Sequence, residues 1–173
     1  MTELVALGLG SNLGDKRKHI TEAVSVIAKS GLLTDVLQSR FLLNKALLPE
    51  DAPKDWDLDF LNVVIIGKTS LTPSALFSAI KDIEKAFGRV ATEKWAPREI
   101  DIDILIYNNQ SISTKELIIP HKELLNRKFA VCLLADIAPE WKYPIEGKFY
   151  QQTLAEIVAE LYPDEATKNH SHS

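Results

Sequence analysis

A single cysteine, Cys132, stands among 173 residues, so neither an internal disulfide nor a cysteine-built metal centre can form. Long apolar runs are missing as well, and no uninterrupted stretch approaches the ~20 residues that a membrane-spanning helix requires. The opening Met1-Thr-Glu-Leu-Val5 has no basic segment ahead of an apolar one, which predicts no secretory leader and a cytoplasmic location. Basic surplus is absent too. Twenty Lys and Arg against 24 Asp and Glu leave a formal net charge of -4, whereas a sequence-independent nucleic-acid binder needs excess positive charge to displace counterions. No nucleic-acid and no membrane partner is therefore expected, and any polyanion handled here should be small and met by local charges.

What is present is an ordinary globular composition, 46% hydrophobic and 25% charged, at a length suited to one domain. Residues 4–9 read as a strand that runs into the turn Gly10-Ser-Asn-Leu-Gly14. Ile20, Ala23, Val24 and Ile27 recur at helical spacing over residues 16–29, with Asp15 as N-cap and Ser30-Gly31 as the stop. Residues 32–43 are β-like, residues 44–58 form a loop, and residues 60–66 make a further strand. Thr72-Pro73 opens a helix that Gly88 closes. A strand over 99–107 follows, then an Asn108-Asn109 turn and a short strand at 117–119. A buried helix is expected over 126–137. Thr153-Leu-Ala-Glu156 is a capping box for a last helix whose stripe is Leu154, Ile157, Val158 and Leu161. The first six elements spell β-α-β-β-α-β, an α+β, ferredoxin-like sheet with an appended C-terminal strand and helices. Residues 1–164 make one domain and 165–173 a polar, disordered tail.

Several clusters could carry chemistry. In Arg98-Glu-Ile-Asp101-Ile-Asp103-Ile, strand alternation turns Asp101 and Asp103 to one face, about 6.7 Å apart, and Ile100, Ile102, Ile104 and Ile106 to the other. Two like charges there call for a cation, and magnesium suits a pair of carboxylates that leaves positions for water and phosphate. A solvated face bearing two acids is the alternative. Arg89, Lys94 and Arg98 precede the acids, and His121, Lys122, Arg127 and Lys128 follow; such cations can offset a triphosphate or belong to mixed-charge loops. Phe60 and Asn62 share a strand face and could stack on and hydrogen-bond a flat heteroaromatic ligand, or Asn62 could be satisfied by a nearby loop. The Gly8-Leu-Gly10-Ser-Asn-Leu-Gly14 run is not a P-loop, because Asp15 stands between Gly14 and Lys16; its glycines let the backbone approach another segment or a ligand. Glu84 sits inside the apolar stripe of Leu76, Phe77, Ile80, Ile83 and Phe87, so it needs a partner, either structural or a ligand. Cys132 reads as core filler, His19 as a residue of its helix's polar side, and His170 and His172 as tail residues.

Taken together, Gly10-Ser-Asn-Leu-Gly14, Phe60-Leu-Asn62, Gly88-Arg89, the Trp95-to-Asp103 string, Pro120-His121, Asn126-Arg127-Lys-Phe129 and Ile137-Ala-Pro139 resemble the 6-hydroxymethyl-7,8-dihydropterin pyrophosphokinases of folate biosynthesis. The likeness covers residues 5 to about 144. It implies transfer of an intact pyrophosphoryl group from ATP, the co-substrate, to the hydroxymethyl of 6-hydroxymethyl-7,8-dihydropterin, with two magnesium ions and release of AMP. By motif, it makes Asp101 and Asp103 the metal ligands and, with Arg89 and Arg98, the catalytic set. It puts Lys81, Glu84, Arg98, Ile104, His121, Lys122 and Arg127 on ATP, and Asn44, Ala46, Phe60, Asn62, Trp95 and Phe129 on the pterin, with Phe129 stacking. The chain departs from the family at Ala91, where many members carry a second loop arginine. Lys81 and Lys122 stand where glutamine and tyrosine are familiar, and Asn44-Lys45-Ala46 where Thr-Pro-Pro is usual. Lys45-Ala-Leu-Leu-Pro49 and Trp56 resemble members fused to dihydropteroate synthase, the enzyme that follows in the pathway. A two-metal nucleotidyltransferase and a non-catalytic ligand-binding module are the rival readings.

Overall fold

The computed structural model describes residues 3–44, 59–87 and 100–165. Along the chain these form β1 (Glu3–Ser11), α1 (Lys16–Lys29), β2 (Thr34–Gln38), β3 (Leu42–Asn44), β4 (Phe60–Thr69), α2 (Pro73–Ala86), β5 (Asp101–Tyr107), β6 (Ile112–Ser113), β7 (Ile118–Ile119), α3 (Lys128–Ile137) and α4 (Leu154–Leu161). The fold is α+β. Helix starts follow the local chemistry. The Asp15 carboxylate accepts from the Lys18 N–H at 3.3 Å, Thr72 Oγ1 accepts from the Ala75 N–H at 3.2 Å just before Pro73, and Thr153 with Glu156 completes the capping box. Each satisfies an amide that the first helical turn leaves without an intrahelical partner. Gly14 turns the chain into α1 at φ 68°, where a Cβ would lie 2.9 Å from the His19 ring.

The main sheet runs β2-β4-β1-β5, with β3 pairing β4 beyond β2, and every pairing is antiparallel. Because side chains alternate across a strand, the sheet builds two cores. One packs Val5, Leu7, Leu9, Val63, Ile65, Ile102 and Ile104 against Ile20, Ala23 and Ile27 of α1 and Leu76 and Ile80 of α2. The other packs Ala6, Val64, Leu105 and Ile106 against Val131, Leu134, Leu154 and Val158 of α3 and α4. Among the described residues no helix is long and apolar enough to cross a membrane.

Five expectations are revised or refined. The β-like run over 32–43 splits into β2 and β3, because Ser39 leaves the ladder to make its own pair of bonds with Val64: its N–H donates to the Val64 carbonyl at 2.8 Å and its Oγ accepts from the Val64 N–H at 2.9 Å. Ile106 does not share the face of Ile102 and Ile104. The register jumps from Leu7↔Ile104 to Ala6↔Ile106, and this bulge puts both Leu105 and Ile106 in the α3–α4 core. The helix expected from residue 126 begins at Lys128, since Arg127 N–H still bonds the Glu123 carbonyl in the preceding turn. The short strand near 117–119 is β7, paired to β6 in a separate ribbon. Glu165, placed in the tail by sequence, pairs with Lys128 at 3.2 Å. The loop over 45–58, Gly88, Glu99 and residues 166–173 lie outside the described residues.

Gly67 sits where β4 passes β2: a Cβ there would lie 2.9 Å from the Thr34 carbonyl oxygen and 3.1 Å from Leu33 Cβ. Gly67→Val should therefore cost about 1–3 kcal/mol, seen as a lower urea midpoint with an unchanged denaturant slope.

Candidate active site

Two rows of residues cross the sheet on the α3 side. Asn62 pairs with Gly10, which pairs with Asp101; Val64 pairs with Gly8, which pairs with Asp103. Directly paired residues present their side chains to the same face, so both acids share a face, as alternation predicts, and at Gly8 and Gly10 the central strand between them and β4 carries no side chain. A Cβ at Gly10 would lie 3.0 Å from Asn62 Oδ1 and 3.3 Å from the Phe60 ring. The two glycines thus keep a strip of backbone bare, with an amide and an aromatic ring on one flank and two carboxylates on the other.

Asp103 is ringed by groups from the segment after β7. Arg127 Nη1 lies 3.5 Å from Asp103 Oδ2, and His121 Nε2 lies 4.0 Å from the same oxygen. Burial and the neighbouring Asp101 push the Asp103 carboxyl up to about 6, against the pull of Arg127. The imidazole of His121 is held below its ordinary value by burial and by Arg127. Its Nδ1 accepts from the Glu123 N–H at 3.1 Å, which leaves the proton on Nε2, facing Asp103. Among the described residues no three His, Cys, Asp or Glu side chains cluster as a full metal cage. Two carboxylates alone suit a hard cation that completes its shell with water and phosphate oxygens.

Off the open edge of β5 lies a cavity of about 270 Å³, lined by Phe77 and Ile80 of α2, Ile102, Asp103 and Ile104 of β5, Lys115 to Ile118, His121 and Lys122. Apolar walls with charges at one end fit a nucleoside whose phosphates run toward the acids. Glu84 is buried beside this cleft: its Oε2 accepts from the Ile102 N–H at 2.8 Å and its Oε1 from Lys81 Nζ at 3.0 Å. On the opposite flank, Asn62 Nδ2 donates to the Leu42 and Phe60 carbonyls, both at 3.3 Å, and to Asn44 Oδ1. Phe129, in the first turn of α3, packs at the margin of the second core.

Sequence reasoning thus brings together Asp101, Asp103, His121 and Arg127, with Ile104 and Lys122 in the adjoining cleft, and Asn44, Phe60 and Asn62 across the glycine strip. Arg89, Arg98, Ala46 and Trp95 lie outside the described residues. Phe77, Lys115, Glu116, Leu117 and Ile118 were not anticipated as cleft residues. Phe77 was visible only as part of a helix stripe, and the others belong to a ribbon with no distinctive pattern. The i, i+2 spacing of Gly8 and Gly10 was the available signal for the bare strip.

The family model described as 7,8-dihydro-6-hydroxymethylpterin-pyrophosphokinase (HPPK) matches residues 6–139. A folate synthesis bifunctional protein of Chlamydia trachomatis serovar D is 42% identical over 162 residues, covering 92% of this chain and 36% of that protein. The chain therefore spans about a third of the length of such bifunctional relatives. A 2-amino-4-hydroxy-6-hydroxymethyldihydropteridine pyrophosphokinase of Aquifex aeolicus is 40% identical, with 83% of this chain and 86% of that one covered, and its Bacillus subtilis counterpart is 32% identical with 81% of each covered. A solved HPPK-DHPS in complex with substrates superposes with a TM-score of 0.65 at 16% identity over 98% of this chain and 45% of that one, a likeness of fold. On the strength of the matched span and of these relatives, the chain belongs to the 7,8-dihydro-6-hydroxymethylpterin-pyrophosphokinase family.

Proposed function

We propose that this chain transfers the pyrophosphoryl group of ATP to the hydroxymethyl oxygen of 6-hydroxymethyl-7,8-dihydropterin, releasing AMP, as a step of folate biosynthesis. The observation that carries the reading is the pair of rows Asn62–Gly10–Asp101 and Val64–Gly8–Asp103. They supply amide recognition and paired carboxylates on either side of a bare strip, in a member of this family. With β2 and β3 counted as one interrupted edge strand, the β-α-β-β-α-β order and the strand arrangement β2-β4-β1-β5 support a ferredoxin-like description, with β6, β7, α3 and α4 appended. We assign residues 1–164 to one pyrophosphokinase domain, which Glu165 joins through Lys128. Dihydropteroate synthase, the second activity of HPPK-DHPS proteins, is the reading's candidate for the enzyme that consumes the product.

In this scheme the nucleoside occupies the cleft between Phe77, Ile80, Ile104 and Leu117, and its phosphates extend toward Asp101 and Asp103. Asp101 and Asp103 would hold the pair of magnesium ions that the reading implies, because two neighbouring carboxylates that repel each other are relieved by cations placed against them. Bound there, magnesium supplies neutralising charge across the phosphates. The pterin ring lies over the glycine strip, stacked by Phe129 and edged by Asn62 and Phe60. Its hydroxyl oxygen bonds to the β-phosphorus, the bond from that phosphorus to the oxygen shared with the α-phosphorus breaks, AMP leaves with that oxygen, and the hydroxyl proton passes to solvent. His121, through its Nε2–H, and Arg127 donate to oxygens whose charge grows during transfer. By family motif, Arg89 and Arg98 add to this set and Trp95 closes over the ring.

Incubation with magnesium, ATP and the hydroxymethyl pterin should yield AMP, separable from other nucleotides by anion exchange; free pyrophosphate with no pterin diphosphate would instead favour a nucleotidyltransferase. Asp103→Ala should lower this turnover by ~100-fold or more while keeping a native circular-dichroism spectrum. Phe129→Ala should weaken the pterin, measured by fluorescence titration, by ~1 kcal/mol or more with ATP affinity little changed.

The raised Asp103 carboxyl also fixes a stability profile. Unfolded, an aspartate ionises near 3.9, whereas in the fold Asp103 holds its proton up to about 6. The folded state therefore binds the extra proton, and stability is lost as pH rises through that window. Asp103→Asn, free of this penalty, should melt above the wild-type protein at pH 7.5 without magnesium. The gap should shrink toward pH 4 in differential scanning calorimetry.

A further inference from the structure

We infer that Glu84 is a positioning residue for the acid pair: it holds the strand amide between Asp101 and Asp103 and does not touch the nucleotide. The inference rests on the pyrophosphokinase reading of the site. Among the described residues Glu84 is the one acidic or basic side chain in the buried set, at 1% exposure, and a carboxylate is tolerated there only if it is paired. Its pairing is specific. Oε2 accepts from the Ile102 N–H at 2.8 Å, and Oε1 accepts from Lys81 Nζ at 3.0 Å, the same ammonium that stands 5.1 Å above the Phe77 ring.

The position of Ile102 gives this contact its consequence. Among the described residues β5 closes the sheet on that side and pairs with no strand of it but β1, so alternate backbone groups of β5 turn away from the ladder. The Ile102 N–H is one of these, and Ile102 itself is 1% exposed, so no water would serve it. Glu84 acts as the missing strand at this one point, with an acceptor whose charge makes the bond stronger than a neutral one. Ile102 is flanked by Asp101, in register with Gly10, and by Asp103, in register with Gly8. Anchoring it to α2 fixes the pleat that sets how far apart the two carboxylates stand and how they face the glycine strip. The cleft walls include Phe77 and Ile80 from the same helix but not Glu84, so a nucleotide seated there reaches the aromatic and aliphatic face of α2 rather than the carboxylate.

The test compares Glu84→Ala with Glu84→Gln, reading the Ile102 amide by hydrogen exchange and the reaction by AMP release. The alanine variant should expose Ile102 to exchange ~10-fold or more faster and lower kcat by ~10–100-fold, with the KM for ATP within ~3-fold of wild type. Glutamine, whose amide oxygen still accepts, should recover most of the Ile102 protection and part of kcat. A KM for ATP raised by both variants with Ile102 protection intact would overturn the inference and make Glu84 a nucleotide contact. If the alanine variant does not fold, Glu84→Asp, one methylene too short to reach, carries the same comparison. Wild-type protein that releases no AMP, yet loses Ile102 protection on substitution, would sink the functional reading while leaving the Glu84 grip in place.

Discussion

The register between β1 and β5 is the constraint from which the site follows. Gly10 opposite Asp101 and Gly8 opposite Asp103 put the two acids on one face and clear the neighbouring strand of side chains in the same step. A one-residue slip would send both carboxylates into the apolar core beneath α1 and α2, where Ile102 and Ile104 now sit. The hydrophobic pattern of β5 therefore does two jobs: it buries isoleucines on one side and, by doing so, commits the acids to the other. The bulge at Leu105 ends that alternation just past Asp103, so the strand supplies apolar residues to the second core as soon as the acids have been presented.

Electrostatics explains why the acids stand where they do at a cost. Partly buried and adjacent, they repel, and the surrounding cations only partly compensate. Arg127 lies at 3.5 Å, outside ideal hydrogen-bond range, and His121 is neutral with its proton directed at Asp103. Among the described residues, the donors around Asp103 stop short of closing on it, and on the proposed reading that leaves its oxygens open to a cation carried in by an anionic ligand, since a tight protein-only ion pair would have to be broken first. Glu84 and Lys81 show the contrasting case. Both carboxylate oxygens are engaged, and removing such an acceptor would leave a buried N–H unsatisfied at about 1–3 kcal/mol.

Much of this was legible in the residues. The caps Asp15, Thr72 and Thr153 name their helices because each supplies a side-chain oxygen at the one position that needs it. The acid pair reads from period-two alternation, and the shared face of Phe60 and Asn62 reads in the same way. What escaped depends on contacts distant in sequence. Ser39 breaks a β-like run by bonding Val64, 25 residues away, and no local preference records that. The bulge at Leu105 arises from pairing with β1, so Ile106 was assigned to the wrong face. The partner of Glu84 is a backbone amide 18 residues on, and an amide leaves no trace in side-chain chemistry. The cleft wall from Lys115 to Ile118 is assembled by a two-residue ribbon too short to carry a pattern.

The placement of α3 completes the argument, because that helix covers only part of the second sheet face. Its apolar residues Val131 and Leu134 share the second core with Val64 and Leu105. Phe129 is thereby held against the second core, and the preceding Arg127 beside Asp103. Helix position, then, decides which groups converge on the candidate site, and it is held from the rear. The Tyr162 hydroxyl donates to the Leu125 carbonyl at 2.8 Å, Arg40 pairs with Asp136 at 2.9 Å, and Lys128 pairs with Glu165. The ion pairs are partly exposed and worth ~1 kcal/mol or less apiece, so the apolar core supplies most of the energy. They and the tyrosine bond act mainly on angle, orienting α3 so that one end of a helix in a structural core also serves as a wall of the site.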